Sequence, residues 1–313
     1  MDSALTTVGL PIALGIIMFG LGLSLTPADF GRVRRAPVAV LVALACQLLV
    51  LPAICFGLVV VLDLSPLLGI GMMLLAASPG GTSANLFSHL FRGDVALNVT
   101  LTAVNSLISI VTLPLITGLT IRYFDRQDTV ELPLVEVLKV FALVLIPVIL
   151  GMVVRARRSA FADRMDRPVR IGSAIILAVL VVAIVVDQRE NITDYLAKVG
   201  VATAVFCALS LTIGYYVPRL FGVSDRQSIA SSMEIGVHNA TLAIYVAVEI
   251  LDDTEISIPA AVYSLFMFAF AALWGRYISR GVMGGRLRAG SGAGSPPGGG
   301  PGSRPRPPAT PCV

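Results

Sequence analysis

Apolar residues run along this chain in blocks of about twenty, the length an α-helix needs to cross the hydrocarbon core of a bilayer. Short stretches of proline, glycine and charge separate the blocks. The pattern predicts nine transmembrane helices, over residues 8–25, 37–61, 66–91, 95–121, 132–154, 169–187, 195–217, 226–250 and 256–279. The first run follows only Asp2, with no basic residue and no small-residue cleavage site, so it reads as a membrane helix rather than a secretory signal. Two runs are interrupted. The third meets Ser78-Pro79-Gly80-Gly81-Thr82-Ser83-Ala84-Asn85, and the eighth meets Glu234-Ile235-Gly236-Val237-His238-Asn239. Proline removes a backbone donor and glycine releases the chain from helical geometry. Each backbone group freed in hydrocarbon costs several kcal/mol unless protein, ion or water satisfies it. Both breaks therefore predict a cavity or a bound ligand.

Composition agrees. Hydrophobic residues make up 56% of the 313 positions and charged residues 13%, with a mean hydropathy of +0.87. A soluble domain carries about 25% charged residues, so the chain is solvated by lipid, and a soluble enzyme or nucleic-acid-binding protein is excluded. The net charge of +4 follows from topology. With the N-terminus outside, eighteen basic residues fall on the inner side and five on the outer, the asymmetry the positive-inside rule asks for. An odd number of spans is needed to produce it. The expectation is a multi-pass protein of the cell membrane with a cytoplasmic C-terminus. Residues 1–283 are expected to form the transporter domain, and the Gly/Pro/Arg-rich segment 284–313 a disordered cytoplasmic tail that packs no core. Cys46, Cys55, Cys207 and Cys312 form no metal-ligand spacing and read as small packing residues.

The halves 8–122 and 132–280 each hold one interrupted helix, followed by a short half-helix, a charged turn and a long apolar span. With nine spans the third and eighth start on opposite faces of the membrane, so the halves are inverted repeats. Paired broken helices in inverted halves point to the binding site of a secondary transporter. Glu234 is the one acid placed deep in a helix, and an intramembrane carboxylate needs a cation, a proton or a hydrogen-bond donor. Each break ends in an asparagine, Asn85 or Asn239. Asn239 is expected at the start of the second half-helix, aimed at an organic anion or serving as its cap. Thr82, Ser83 and Thr241 are candidates of the same kind, and Asn105 continues the face of Asn98 and Thr102 as a further candidate for the solute cavity.

Three stretches, MFGLGLSLTPADF (Met18 to Phe30), GGTSANLFSHLFRGDVALNVTLTAVNSL (Gly80 to Leu107) and EIGVHNATLAIYVA (Glu234 to Ala247), resemble the bile acid:sodium symporter (BASS) family, over about residues 10–280. The resemblance implies an all-α polytopic fold with two crossing broken helices in a core domain and a separate panel domain that rocks against it. Bacterial members can have ten helices, and by this comparison the chain lacks the first. The resemblance further implies two sodium sites. One would use Asn85, Asn98, Thr102 and Glu234, although the position before Asn85, often serine in the family, is Ala84 here. The other would use Gln47, Glu234, carbonyls near Ile235 and Val237, and His238, where relatives often carry glutamine.

These readings lead to sodium-coupled symport of a small organic anion by alternating access, with no catalysis and no obligatory protein partner. Imidazole nitrogen is a poorer sodium ligand than an amide oxygen. His238 then either orients a neighbour by hydrogen bonding or brings protons into the coupling. A metalloid (arsenite) exporter is the competing carrier, but that chemistry favours a thiolate at the first break, and residues 78–91 contain no cysteine.

Overall fold

The computed structural model describes residues 10–125, 134–187 and 192–291. Helices account for nearly all of them, and the only β-type pairing among them is a single bridge described below. In chain order they are α1 (Leu10–Ser24), α2 (Pro27–Gly31), α3 (Pro37–Ala45), α4 (Leu51–Val61), α5 (Pro66–Ala77), α6 (Ser83–Leu90), α7 (Val95–Tyr123), α8 (Leu134–Arg157), α9 (Ser159–Asp187), α10 (Ile192–Leu220), α11 (Asp225–Gly236), α12 (Ala240–Tyr245) and α13 (Thr254–Ser291). Among the described residues four helices are long and apolar enough to cross a membrane: Pro37–Val61, Val95–Tyr123, Val199–Leu220 and Thr254–Arg280. A bent pair, Leu14–Ser24 with Pro27–Arg34 at 67°, makes a fifth if counted as one span. The chain is thus an all-helical polytopic membrane protein.

Two boundaries differ from the sequence reading. The basic segment before residue 169 was expected as an inner loop, but α9 begins at Ser159, leaving only Arg158 between it and α8. An ion pair of Arg155 with Asp163, at 2.5 Å, ties the two helices across this turn. At the other end α13 continues to Ser291, past the boundary at 284 drawn from composition; residues 292–313 lie outside the described part.

Local chemistry explains the shape of several elements. The Leu-Thr-Pro-Ala-Asp turn after α1 is a capping arrangement: the Thr26 backbone N–H donates to Asp29 Oδ2 at 2.7 Å, and Pro27 opens α2 where its missing N–H costs nothing. The Asp29 carbonyl in turn accepts from Thr100 Oγ1 of α7 at 3.1 Å. Between α3 and α4 the chain widens into a π-turn, Cys46–Val50, just ahead of Pro52. A helical proline leaves the carbonyl four residues earlier without a donor, so the ladder shifts register there. Gln47 sits in the widened turn, 3% exposed.

The helices sort into two layers. Helices α1, α8 and α9 pack on one another, while α3 to α7 and α10 to α13 pack together as the second group. The layers touch where α1 and α9 meet α12 and where α9 meets α13. Glycine sets the closest approach within the first layer: a Cβ on Gly22 would strike the Val148 carbonyl of α8, and one on Gly151 the Phe19 carbonyl of α1. In lipid, small residues of this kind gain dispersion contact between helices that are otherwise as apolar as their solvent. Replacing Gly22 by Val is expected to force α1 from α8 and lower stability by about 1–3 kcal/mol, read as a fall in melting temperature of the purified protein. Gly57→Ala, which meets nothing within 4 Å, serves as the neutral control.

Candidate functional site

The two breaks meet. Gly80 and His238 form an antiparallel bridge, in which the Gly81 N–H donates to Val237 O at 2.7 Å and the Asn239 N–H to Pro79 O at 2.8 Å. In unbroken helices these donors would have gone to Ala77 and Ile235. Each broken segment therefore satisfies part of the other, and the carbonyls left behind become available to other partners. Gly236 O accepts from the Tyr263 hydroxyl at 2.8 Å. Ser78 O accepts from Gln47 Nε2 at 3.1 Å and lies 3.3 Å from His238 Nδ1. Gly80 has no room for a side chain, because a Cβ there would run into the Glu234 carboxylate.

Around this crossing lies a set of oxygens with nothing to accept. Glu234 is 2% exposed; its Oε2 accepts from Thr102 Oγ1 at 2.5 Å, and its Oε1 has no partner. Asn98 on α7 spends its amide hydrogen on the Ala230 carbonyl of α11 at 2.8 Å, which leaves Oδ1 bare. Asn85 Oδ1 on α6 and Gln47 Oε1 are also buried without a donor. Carboxylate and amide oxygens only accept, and leaving one unmet costs about 1–3 kcal/mol, more for a charge. Each of these four atoms, on α6, α7, α11 and the turn between α3 and α4, is unfavourable unless a donor or a cation reaches it. Hard oxygens of this kind suit an alkali or alkaline-earth ion rather than a soft metal.

Other sequence expectations fare differently. His238 is pinned by an acceptor-only carbonyl, so in the neutral ring Nδ1 carries the proton and Nε2 is a nitrogen acceptor without a partner. The ring stacks on Phe206 and meets Tyr263 edge-on. Val237 O, expected as a free ligand carbonyl, is already engaged by Gly81, whereas Ile235 O has lost its helical donor. Asn85 and Asn239 are not equivalent. Asn85 lies inside the first turn of α6, while Asn239 caps α12, its Oδ1 accepting from the Leu242 N–H at 3.1 Å. A small cavity at the crossing, about 30 Å³, is lined by Thr82, Ser83, His238, Asn239 and Thr241, together with Ile17 of α1 and Met267 of α13. That space holds a water or two, not an organic anion. Asn105 does not line it; it is buried one turn further along α7 with its Nδ2 unpaired. Tyr263, an aromatic residue within the apolar α13, supplies the donor for the second break. No local signal marks it, because its partner is 27 positions away.

Comparison with known proteins gives the family of the chain. The profile of the Sodium Bile acid symporter family matches residues 11–195. The chain belongs to that family. It is similar to an uncharacterized sodium-dependent transporter, YocS, of Bacillus subtilis, at 26% identity over 90% of this chain and 85% of that protein. The ileal sodium/bile acid cotransporter of Oryctolagus cuniculus is 25% identical over 86% of this chain and 79% of its own. The rice protein named probable sodium/metabolite cotransporter BASS2, chloroplastic, is 26% identical over 88% of this chain, which spans 64% of its length. These family members are transporters and not enzymes.

Tyr263→Phe is expected to leave Gly236 O unsatisfied and to cost about 1–3 kcal/mol, seen as a lower melting temperature. An unchanged melting temperature would mean that another donor reaches that carbonyl.

Proposed function

We propose that this chain is a sodium-coupled carrier that moves a small organic anion into the cell by alternating access. The reading includes nine spans in two inverted halves, an external N-terminus, a cytoplasmic C-terminus and residence in the cell membrane. Sodium would sit among Asn85, Asn98, Thr102 and Glu234. The observation that carries this is the group of buried acceptor oxygens without donors at the crossing. A monovalent cation neutralises the carboxylate and completes the amide oxygens in one step.

Coupling follows from which residues share a helix end. Asn85 lies two and three positions beyond Ser83 and Thr82, both of which line the cavity. A cation held by Asn85 and Glu234 would fix α6 against α11 and with them the hydroxyls that meet the anion. Binding of one solute then favours the other by the same factor in both directions. The layer of α1, α8 and α9 contributes Ile17 to the cavity lining, and its movement would open a space too small for solute as it stands. At the second candidate site, Val237 O is occupied and His238 offers nitrogen rather than oxygen, which favours a single firmly held sodium.

The test compares thermal stability in sodium and in potassium at equal ionic strength. Sodium at about a hundred times its dissociation constant should add about 2.7 kcal/mol, and the increment should vanish in Glu234→Gln and in Asn98→Leu. Identical melting curves for wild type in the two salts would refute the site.

A further inference from the structure

The exposed side of α13 changes character along its length. Leu265, Ala269 and Leu273, at steps of four, are apolar; the next turn brings Arg276 and Tyr277, and the one after it Arg280, all exposed. Residues four apart lie on one helix face, and the order apolar, aromatic, cationic is that of a helix passing from acyl chains into headgroups. Helix α10 packs beside it and ends likewise: Tyr216 is 45% exposed and Leu220 83%, with the exposed Arg219 between them. Their rings join. Trp274 of α13 stands 6.1 Å from Tyr216 and 5.6 Å from Tyr277 between ring centroids. Its Nε1–H is turned inward and donates to Ser232 Oγ of α11 at 3.0 Å. An aromatic floor thus spans the two helices.

The cations at this end of α13 lack anions. Among the described residues Arg32 is paired with Asp29, Arg155 with Asp163 and Arg219 with Asp225, whereas Arg276 and Arg280 have neither an ion-pair nor a hydrogen-bond partner. No acidic residue follows Glu255 in the chain. Asp225, the acid at this end of α10 and α11, is held by Arg219, whose guanidinium also lies 5.4 Å over the Tyr215 ring. An arginine stays charged in proteins and offers five donors in a planar fork that matches phosphate. Two of them, four residues apart beside amphipathic rings at the end of a membrane span, call for an anion at headgroup depth.

We propose that this surface of α10 and α13 binds an anionic phospholipid, with Arg276 and Arg280 on its phosphate and acidic head, Tyr216, Trp274 and Tyr277 beneath its glycerol backbone, and Leu265 and Leu273 along its chains. A zwitterionic headgroup brings its own cation and gains less from the two arginines. The leaflet is the one at the basic ends of the helices, cytoplasmic in the topology proposed above. The lipid lies over the ends of both broken segments: Trp274 is bonded to Ser232, two residues from Glu234, and a Cβ on Gly275 would strike the Phe91 ring at the end of α6. None of these side chains belongs to the crossing, so the lipid site stands whether or not the cation reading does.

Trp274 is the only tryptophan in the chain, so its fluorescence reads the lipid at this surface. Full-length protein is reconstituted in equimolar phosphatidylglycerol and phosphatidylcholine, with brominated acyl chains, which quench a nearby indole, on one lipid or on the other. Brominated phosphatidylglycerol should quench the more strongly, corresponding to a roughly fivefold preference in occupancy. The preference should vanish in the Arg276→Gln/Arg280→Gln double variant. It should persist in Arg157→Gln/Arg158→Gln, which removes two exposed arginines from the turn between α8 and α9. Equal quenching by the two lipids in wild type would overturn the site without recourse to any variant. A preference that survives the loss of Arg276 and Arg280 would overturn it too, as would one lost equally in the control, because diffuse inner-surface charge would then suffice.

Discussion

The structure depends on two unwound segments satisfying one another inside a medium that offers no hydrogen bonds. A helix broken in hydrocarbon leaves donors and acceptors that lipid cannot meet. Here the Gly81 and Asn239 amides reach across to Val237 and Pro79, so neither break is tolerable without the other. What the crossing does not absorb is then assigned to specific neighbours: Tyr263 to Gly236 O, Gln47 and His238 to Ser78 O. The site is a by-product of this accounting. The amides of Gln47 and Asn98 donate to freed or adjacent carbonyls, and their oxygens are left over.

That leftover set gives the crossing its chemistry. A structure stabilised only by packing would place apolar groups at these positions, since buried acceptors without donors are costly. Under the proposed function a bound cation would meet that cost, and the cost would reappear when the ion leaves. In that reading an ion-free site would be strained in its electrostatics rather than in its backbone, and ion occupancy would bear on the position of α6 against α7 and α11. The hydroxyls that line the small cavity ride on the same half-helices. In the proposed reading, solute and ion sites would share moving parts without sharing atoms.

The two-layer arrangement supplies the counterpart to this rigid crossing. Helices α1 and α8 approach through Gly22 and Gly151 with backbone against backbone, forming a thin layer that meets the rest along α12 and α13. The crossing has hydrogen bonds between backbones; at the cavity the first layer contributes the apolar Ile17 and α13 the apolar Met267. Apolar contacts slide more readily than paired backbone bridges, so in the proposed alternating access relative motion would belong to the seam.

The amino-acid sequence by itself determined that the chain is helical and lipid-solvated, where its two helices break, and that Glu234 is a buried acid. These follow from local rules, since apolar run length, proline, glycine and lone charges act within a turn or two of where they stand. The resemblance of three motifs named Gln47, Asn85, Asn98 and Thr102, and their oxygens prove buried. Tertiary structure alone decided which atoms are free. Val237 O was claimed by Gly81 from 156 positions away, and Gly236 O by Tyr263 from 27. Ser88 and Ser231 look like any helical serine until the absence of a carbonyl partner sets them apart from Ser210 and Ser232. Hydrogen bonds over such separations depend on how the halves pack, and no local pattern encodes which acceptor a donor will find.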